Sequence, residues 1–229
     1  MTNQTNNINQ INQTNQINQI NHTNHINNTN HINQTNHTNH INKTAIITGA
    51  SRGIGAAIAK KLASCGYNLS LCCRNSSDRL KALADELHCA YGIEVLCYTG
   101  NVGDFFFAKD MVTKTISHFG HIDVLINNAG ISHIGLLSDM TPEEWNNIVA
   151  INLTGVFNFT KLVIPYMVAD KCGRILQISS VWGNVGASCE VAYSACKGGI
   201  NAFTKALGKE LAPSHIPCLL YTSDAADEL

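Results

Sequence analysis

The sequence predicts an α/β domain with a parallel, doubly wound sheet covered on both faces, preceded by a low-complexity tract. Three observations carry this reading. From residue 43 onward short apolar runs alternate with amphipathic helical segments, most boundaries carry glycine, asparagine or aspartate, and 229 residues suffice for one domain to bury a core. Strict alternation favours parallel strands, because each helix returns the chain across the sheet while covering it.

Residues 1–42 stand apart. From Thr2 the chain runs in triplets of Ile or Thr, then Asn, then Gln, His or Asn, ending at Ile41-Asn42. The tract is nearly devoid of charge and aromatics and has little to offset ordering entropy, so disorder is expected, with self-association as the risk of its asparagine content. Five of the ten histidines lie here (His22, His25, His31, His37 and His40). They could collect metal ions adventitiously, but no functional metal site is expected. The triplets also read as a translated nine-base DNA repeat, an origin that predicts no activity.

The elements follow in order. Residues 43–48 (KTAIIT) form an apolar run stopped by glycine, hence a buried first strand. Over 53–65, Ile54, Ile58, Leu62 and Cys65 recur at helical spacing. Residues 68–73 read as a second strand, and 78–91 as a helix whose apolar side carries Leu80, Leu83 and Leu87. A third strand is expected over 93–98, a helix capped by Asp104 to about Phe119, and a fourth strand over 122–126 ended by Asn127-Asn128-Ala129-Gly130. Thr141-Pro142-Glu143-Glu144 is a capping sequence with proline at the first helical position and opens a long helix. A fifth strand over 174–179 and a helix over 192–211 complete the pattern.

Net charge is −1 and there is no basic run, so neither nucleic acid nor an anionic membrane surface is implied. The nine cysteines contain no C-x-x-C pair, and their odd count argues against a disulfide framework. A reducing cytoplasm is the expected home. No run approaches the roughly 18 consecutive apolar residues of a membrane helix, and the N-terminus lacks signal-peptide character.

Thr48-Gly49-Ala50-Ser51-Arg52-Gly53-Ile54-Gly55 follows the first strand and opens the first helix. A pyrophosphate is held by backbone N–H groups at a positive helix end, and glycine lets the main chain approach it. The strand–turn–helix context makes this loop a candidate dinucleotide site.

The T-G-x-x-x-G-I-G spacing resembles the short-chain dehydrogenase/reductase family, as does Asn127-Asn128-Ala129-Gly130 after the fourth strand. The resemblance implies a Rossmann-type fold and a nicotinamide cofactor held by Gly49, Ser51, Arg52, Gly53, Ile54 and Gly55. It further implies that Asn128, Ala129 and Gly130 lie along the cofactor and that Asn101 and Val102 cover its adenine. At the end of the second strand a carboxylate binds ribose hydroxyls, whereas a cation accepts an extra phosphate. This sequence has Arg74 there and no acid until Asp78, with Arg52 inside the loop, so NADP(H) is expected over NAD(H).

Tyr193 and Lys197 are four apart at the start of the last helix, which puts both on one face. Free tyrosine titrates at about 10, too high for proton exchange at neutral pH, and a nearby ammonium favours the phenolate. In the family that this pair resembles, the tyrosine is the general acid of carbonyl reduction and the lysine also binds the nicotinamide ribose. Ser180, thirteen residues before Tyr193, matches the family's carbonyl hydrogen-bond donor, with Ser179 the neighbouring candidate. Asn152 matches the asparagine that completes a proton relay.

The resemblance spans 43–217 and is closest to bacterial 3-oxoacyl-[acyl-carrier-protein] reductases of fatty acid biosynthesis. Trp182 and the stretch from Gly186 to Val191 look more like a branch that includes reductases of an aminopentanone on elongation factor P. The implied substrate is a small or carrier-bound carbonyl compound, and the implied assembly a homodimer or homotetramer. After Pro217 the family's pattern stops. Residues 218–229 read as a non-native tail, leaving the sheet incomplete, so an inactive fragment and a cofactor-binding regulator stand as alternatives.

Overall fold

The computed structural model describes residues 42–223; residues 1–41, with the expectation of disorder, and residues 224–229 lie outside them. The chain enters at β1 (Thr44–Ile47), whose four residues are all buried, and turns through the glycine loop into α1 (Gly53–Ser64). There follow β2 (Asn68–Cys73), α2 (Ser77–Tyr91), β3 (Val95–Thr99), α3 (Phe105–Phe119) and β4 (Val124–Asn127). Asp104 caps α3 as expected, its carboxylate accepting the Phe106 N–H at 2.8 Å.

The long helix after Thr141 is composite. The expected capping box is present at α4 (Pro142–Val149), a π-helical turn spans Ala150–Thr154, and α5 (Gly155–Asp170) continues beyond it. By length and composition this 29-residue stretch could cross a membrane, but half of its most apolar window is buried within the fold. Phe159, Val163 and Met167 are fully enclosed, as in a core helix. The chain then runs through β5 (Arg174–Ser180), a short α6 (Trp182–Val185), α7 (Val191–Leu211) and β6 (Cys218–Ser223).

All six strands are parallel, in the order β3-β2-β1-β4-β5-β6. The strand order therefore reverses beside β1, and a ligand crevice is expected outside the carboxyl ends of β1 and β4. Adjacent residues of each strand feed opposite layers. Ile46 and Leu125 join Met111 of α3, Phe159 of α5 and Leu207 of α7, whereas Ile47 and Ile126 join Ala59 of α1 and Leu80 and Leu87 of α2. Each fully buried side chain of this size contributes about 1.5–3 kcal/mol, which makes the two layers the main source of stability.

One boundary differs from the sequence reading. The domain extends beyond Pro217, because Cys218–Ser223 pairs in parallel with β5 from Ile175↔Cys218 to Ser180↔Ser223. The physical reason lies in the run CLLYTS, which has strand-forming residues and satisfies the open hydrogen-bonding edge of β5.

Candidate active site

A cavity of about 1000 Å³ opens at the carboxyl ends of the strands, where the order reverses. Gly49, Ser51, Arg52, Gly53 and Ile54 form one part of its wall, Arg74, Asn101 and Val102 another, and Asn128, Ala129 and Gly130 the floor that leads to Tyr193 and Lys197.

The glycine loop is held from below. The Thr48 hydroxyl accepts the N–H groups of Asn128 and Ala129 at 3.0 Å, and the Asn128 amide donates to the carbonyls of Thr48 and Gly49 at 3.1 and 3.0 Å. Gly49 has φ +67°, and a Cβ there would lie 2.8 Å from the Ala129 Cα. At Gly55 a Cβ would lie 2.4 Å from the Gly49 carbonyl oxygen. Gly55 is thus buried behind the loop and sets its closeness to α1, whereas Gly53 faces the cavity with nothing within 4 Å of its Cβ position.

Beneath the loop, burial pushes the Cys72 thiol up to about 12, so it is an inert core group there. Arg74, just past β2, is exposed, as is Arg52. Asn101 turns its side-chain oxygen inward and accepts the Gly103 N–H at 3.1 Å, while the Val102 carbonyl is held by Asn158 at 3.0 Å. Among the described residues, no acidic side chain lines the cavity.

At the far end Tyr193 and Lys197 are 6% and 4% exposed, and the ammonium lies 5.3 Å from the tyrosine ring centroid. The lysine donates to the Ile178 carbonyl at 2.7 Å, which ties it to the end of β5. Asn152 is buried in the π-helical turn. Its amide donates to the carbonyls of Ile131 and Ile148 at 2.8 and 3.0 Å, and its oxygen accepts the Ile131 N–H at 3.1 Å. A wide turn of this kind frees backbone groups and recurs at functional sites. Burial raises the pKa of the Cys196 thiol, although the Lys197 charge beside it acts in the opposite direction.

Of the predicted residues, Gly55, Asn152 and Ser180 do not reach the cavity wall. Ser180 is 1% exposed, and its hydroxyl accepts the Trp182 N–H at 3.3 Å. Ser179 contributes to the wall, yet its hydroxyl turns away toward α7. Sequence reasoning missed Cys73, Asn75 and Ser76 around Arg74, and Ile131, Ser132, Asn147 and Ile151 near Tyr193. Asn147 and Ile151 had a usable signal, being one helical turn apart on the segment that carries Asn152.

The cradle fits a dinucleotide. A glycine loop at a helix start and two arginines suit its phosphates and charge, and the cavity runs on from them to the buried Tyr–Lys pair. A family model described as short chain dehydrogenase matches residues 43–221. The chain is 40% identical over 169 residues to the 3-oxoacyl-[acyl-carrier-protein] reductase FabG of Staphylococcus aureus (strain Mu50), covering 74% of this chain and 68% of that protein. A metagenomic short-chain oxidoreductase in complex with NADP superimposes with a TM-score of 0.74 at 33% identity, covering 80% of this chain and 81% of that one. An alcohol dehydrogenase from Thermococcus sibiricus complexed with 5-hydroxy-NADP gives a TM-score of 0.71 at 30% identity, covering 80% of this chain and 74% of that one.

Proposed function

The chain belongs to the short-chain dehydrogenase family and is an NAD(P)-dependent oxidoreductase, and from that premise we propose that it reduces a 3-oxoacyl group or a similar ketone with NADPH. The observation that carries this reading is the juxtaposition, in one cavity, of the glycine loop with the buried Tyr193–Lys197 pair. The kinship with the acyl-carrier-protein reductase favours a carrier-bound acyl substrate.

The glycine loop from Gly49 to Ile54 and Asn128–Gly130 would hold a nicotinamide dinucleotide, which when bound would supply the hydride. Tyr193 gives its phenolic proton to the carbonyl oxygen as negative charge develops there. The Ser180 hydroxyl, which accepts the Trp182 N–H from just behind the cavity wall and keeps its own proton, would turn that proton to the same oxygen; it is preferred to Ser179, whose hydroxyl is engaged 2.6 Å from Asn201. Lys197 stabilises the phenolate left behind, and its bond to Ile178 keeps the ammonium beside the ring. Asn152, fixed by three hydrogen bonds, holds the π-helical turn beside Gly130 and serves the relay that restores the proton.

Arg74 and Arg52 favour the additional phosphate of NADPH, and the described residues of the cavity wall include no carboxylate, the usual partner of the ribose hydroxyls. Tyr193→Phe keeps the ring and deletes the proton. Turnover is expected to fall by about 100- to 10,000-fold while NADPH still binds. Parental turnover in that variant would overturn the assignment.

A further inference from the structure

A buried polar brace lies between the end of β5 and α7, and none of its side chains is assigned to the chemistry above. Asn201 stands four residues after Lys197 and eight after Tyr193, on the same side of α7. It is 5% exposed. Its oxygen accepts from the Ser179 hydroxyl at 2.6 Å, and its amide donates to the Asn184 side-chain oxygen of α6 at 2.9 Å. Ser179 is itself 1% exposed and has one hydroxyl proton. The Lys197 carbonyl is also within reach at 3.3 Å, but the shorter contact to Asn201 takes the proton.

The brace encloses the residue that the chemistry needs held. Ser180 sits between Ser179, tied to α7, and the α6 turn, tied to α7 through Asn184. Gly183 completes the clamp, because a Cβ there would lie 2.7 Å from the Lys197 carbonyl carbon and 2.9 Å from the Asn201 amide. The chain on both sides of Ser180 is therefore pinned to the helix that carries Tyr193 and Lys197, and Lys197 bonds back to Ile178.

We propose that Asn201, acting through Ser179 and Asn184, is a positioning residue that sets Ser180 relative to Tyr193 and Lys197; this rests on the reading of those three as the reacting groups. Replacing Asn201 with leucine would leave the buried Ser179 hydroxyl only its longer contact to the Lys197 carbonyl and would release α6 from its bond through Asn184. Ser180 would then drift, and a misplacement near 1 Å costs about 100-fold in rate. The glycine loop and Arg74 lie on other elements and are unaffected.

The test compares Asn201→Leu, Asn201→Asp, Ser179→Ala and Tyr193→Phe in the full chain. It follows turnover of a ketone with NADPH, the NADPH dissociation constant, and amide hydrogen exchange over residues 181–186. Asn201→Leu is expected to lower kcat by about 10- to 100-fold, to leave the NADPH dissociation constant within about twofold, and to speed exchange over 181–186. Asn201→Asp keeps an acceptor for Ser179, and Asn184 can turn its amide to donate, so this variant recovers most of the kcat and the slow exchange. Should Asn201→Leu fold poorly, Ser179→Ala removes only the hydroxyl and is expected to show the same split. Parental kcat and parental exchange in the variants lacking the brace would overturn the proposal, as would equal losses in Asn201→Leu and Asn201→Asp. Full activity in Tyr193→Phe would instead sink the catalytic reading, and exchange over 181–186 would still decide whether the brace holds this segment.

Discussion

Gly55→Ala separates the packing of the cofactor loop from every local preference. Gly55 lies in α1, where alanine is the better helix former by about 1 kcal/mol, so helix propensity alone predicts a stabilised variant. The tertiary structure predicts the opposite. The added methyl would meet the Gly49 carbonyl oxygen at 2.4 Å and the Asn128 amide nitrogen at 2.6 Å. Neither neighbour yields easily, because Asn128 is bonded to both Thr48 and Gly49. Overpacking of this kind costs about 1–3 kcal/mol or more, and the upper end applies where backbone must move. Taking about 3 kcal/mol against a propensity gain near 1, the net loss is about 2 kcal/mol, or roughly 4–8 °C in Tm for a domain of this size. Thermal unfolding followed by circular dichroism reads this directly. NADPH affinity, measured by fluorescence titration, should fall as well, since the loop is pushed away from Asn128. A Tm at or above that of the parent would refute the packing argument, because only propensity would then be at work.

Arg74→Ala removes one charged partner for the NADPH phosphate, and kcat/KM with NADPH should drop by about 10- to 100-fold while that with NADH barely changes; equal losses with both cofactors would count against the NADPH reading. Asp104→Ala deletes the side chain that accepts the Phe106 N–H at 2.8 Å and should cost about 1 kcal/mol in a urea melt, with Asp104→Asn near the parent. Thiol labelling of the native protein at pH 8 should modify exposed Cys65, Cys89 and Cys172 first. Cys97, although its residue is also exposed, should lag, because desolvation of the thiol itself pushes its pKa up to about 11 and leaves little thiolate, and Cys72, pushed to about 12, should label only on unfolding. The same two thiols make the fold lose stability at high pH. Their contribution is complete below the ordinary value of 9.0 and is lost as pH rises toward 11 and 12, so Tm should fall through that window.

Much of the site was legible because its chemistry is written locally. The glycine loop, Asn128-Ala129-Gly130 and the Tyr193–Lys197 spacing each sit within one strand end or one helical turn, so sequence distance translates into spatial distance. Asp104 and Thr141 announced their helix starts for the same reason. The expectation faltered where the outcome depends on partners far along the chain. The sixth strand was missed because its stability comes from pairing with β5, some 40 residues earlier, and not from its own run alone. The π-helical turn around Asn152 was likewise not read, and the bonds that fix Asn152 there run to Ile131, 21 residues away in sequence.

The sequence by itself determined that strands and helices alternate, that a glycine loop opens the first helix, and that tyrosine and lysine share a face. These follow from periodicity, from backbone freedom at glycine and from the geometry of one helix. Only the tertiary structure decided that Ser179 turns to α7 while Ser180 sits between two anchors, that Gly55 is steric where Gly53 faces the cavity, and that Cys218–Ser223 joins the sheet beside β5. The physical reason is the same in each case. A side chain's direction and its closest neighbours are set by non-local packing, which a one-dimensional pattern of residue types does not encode.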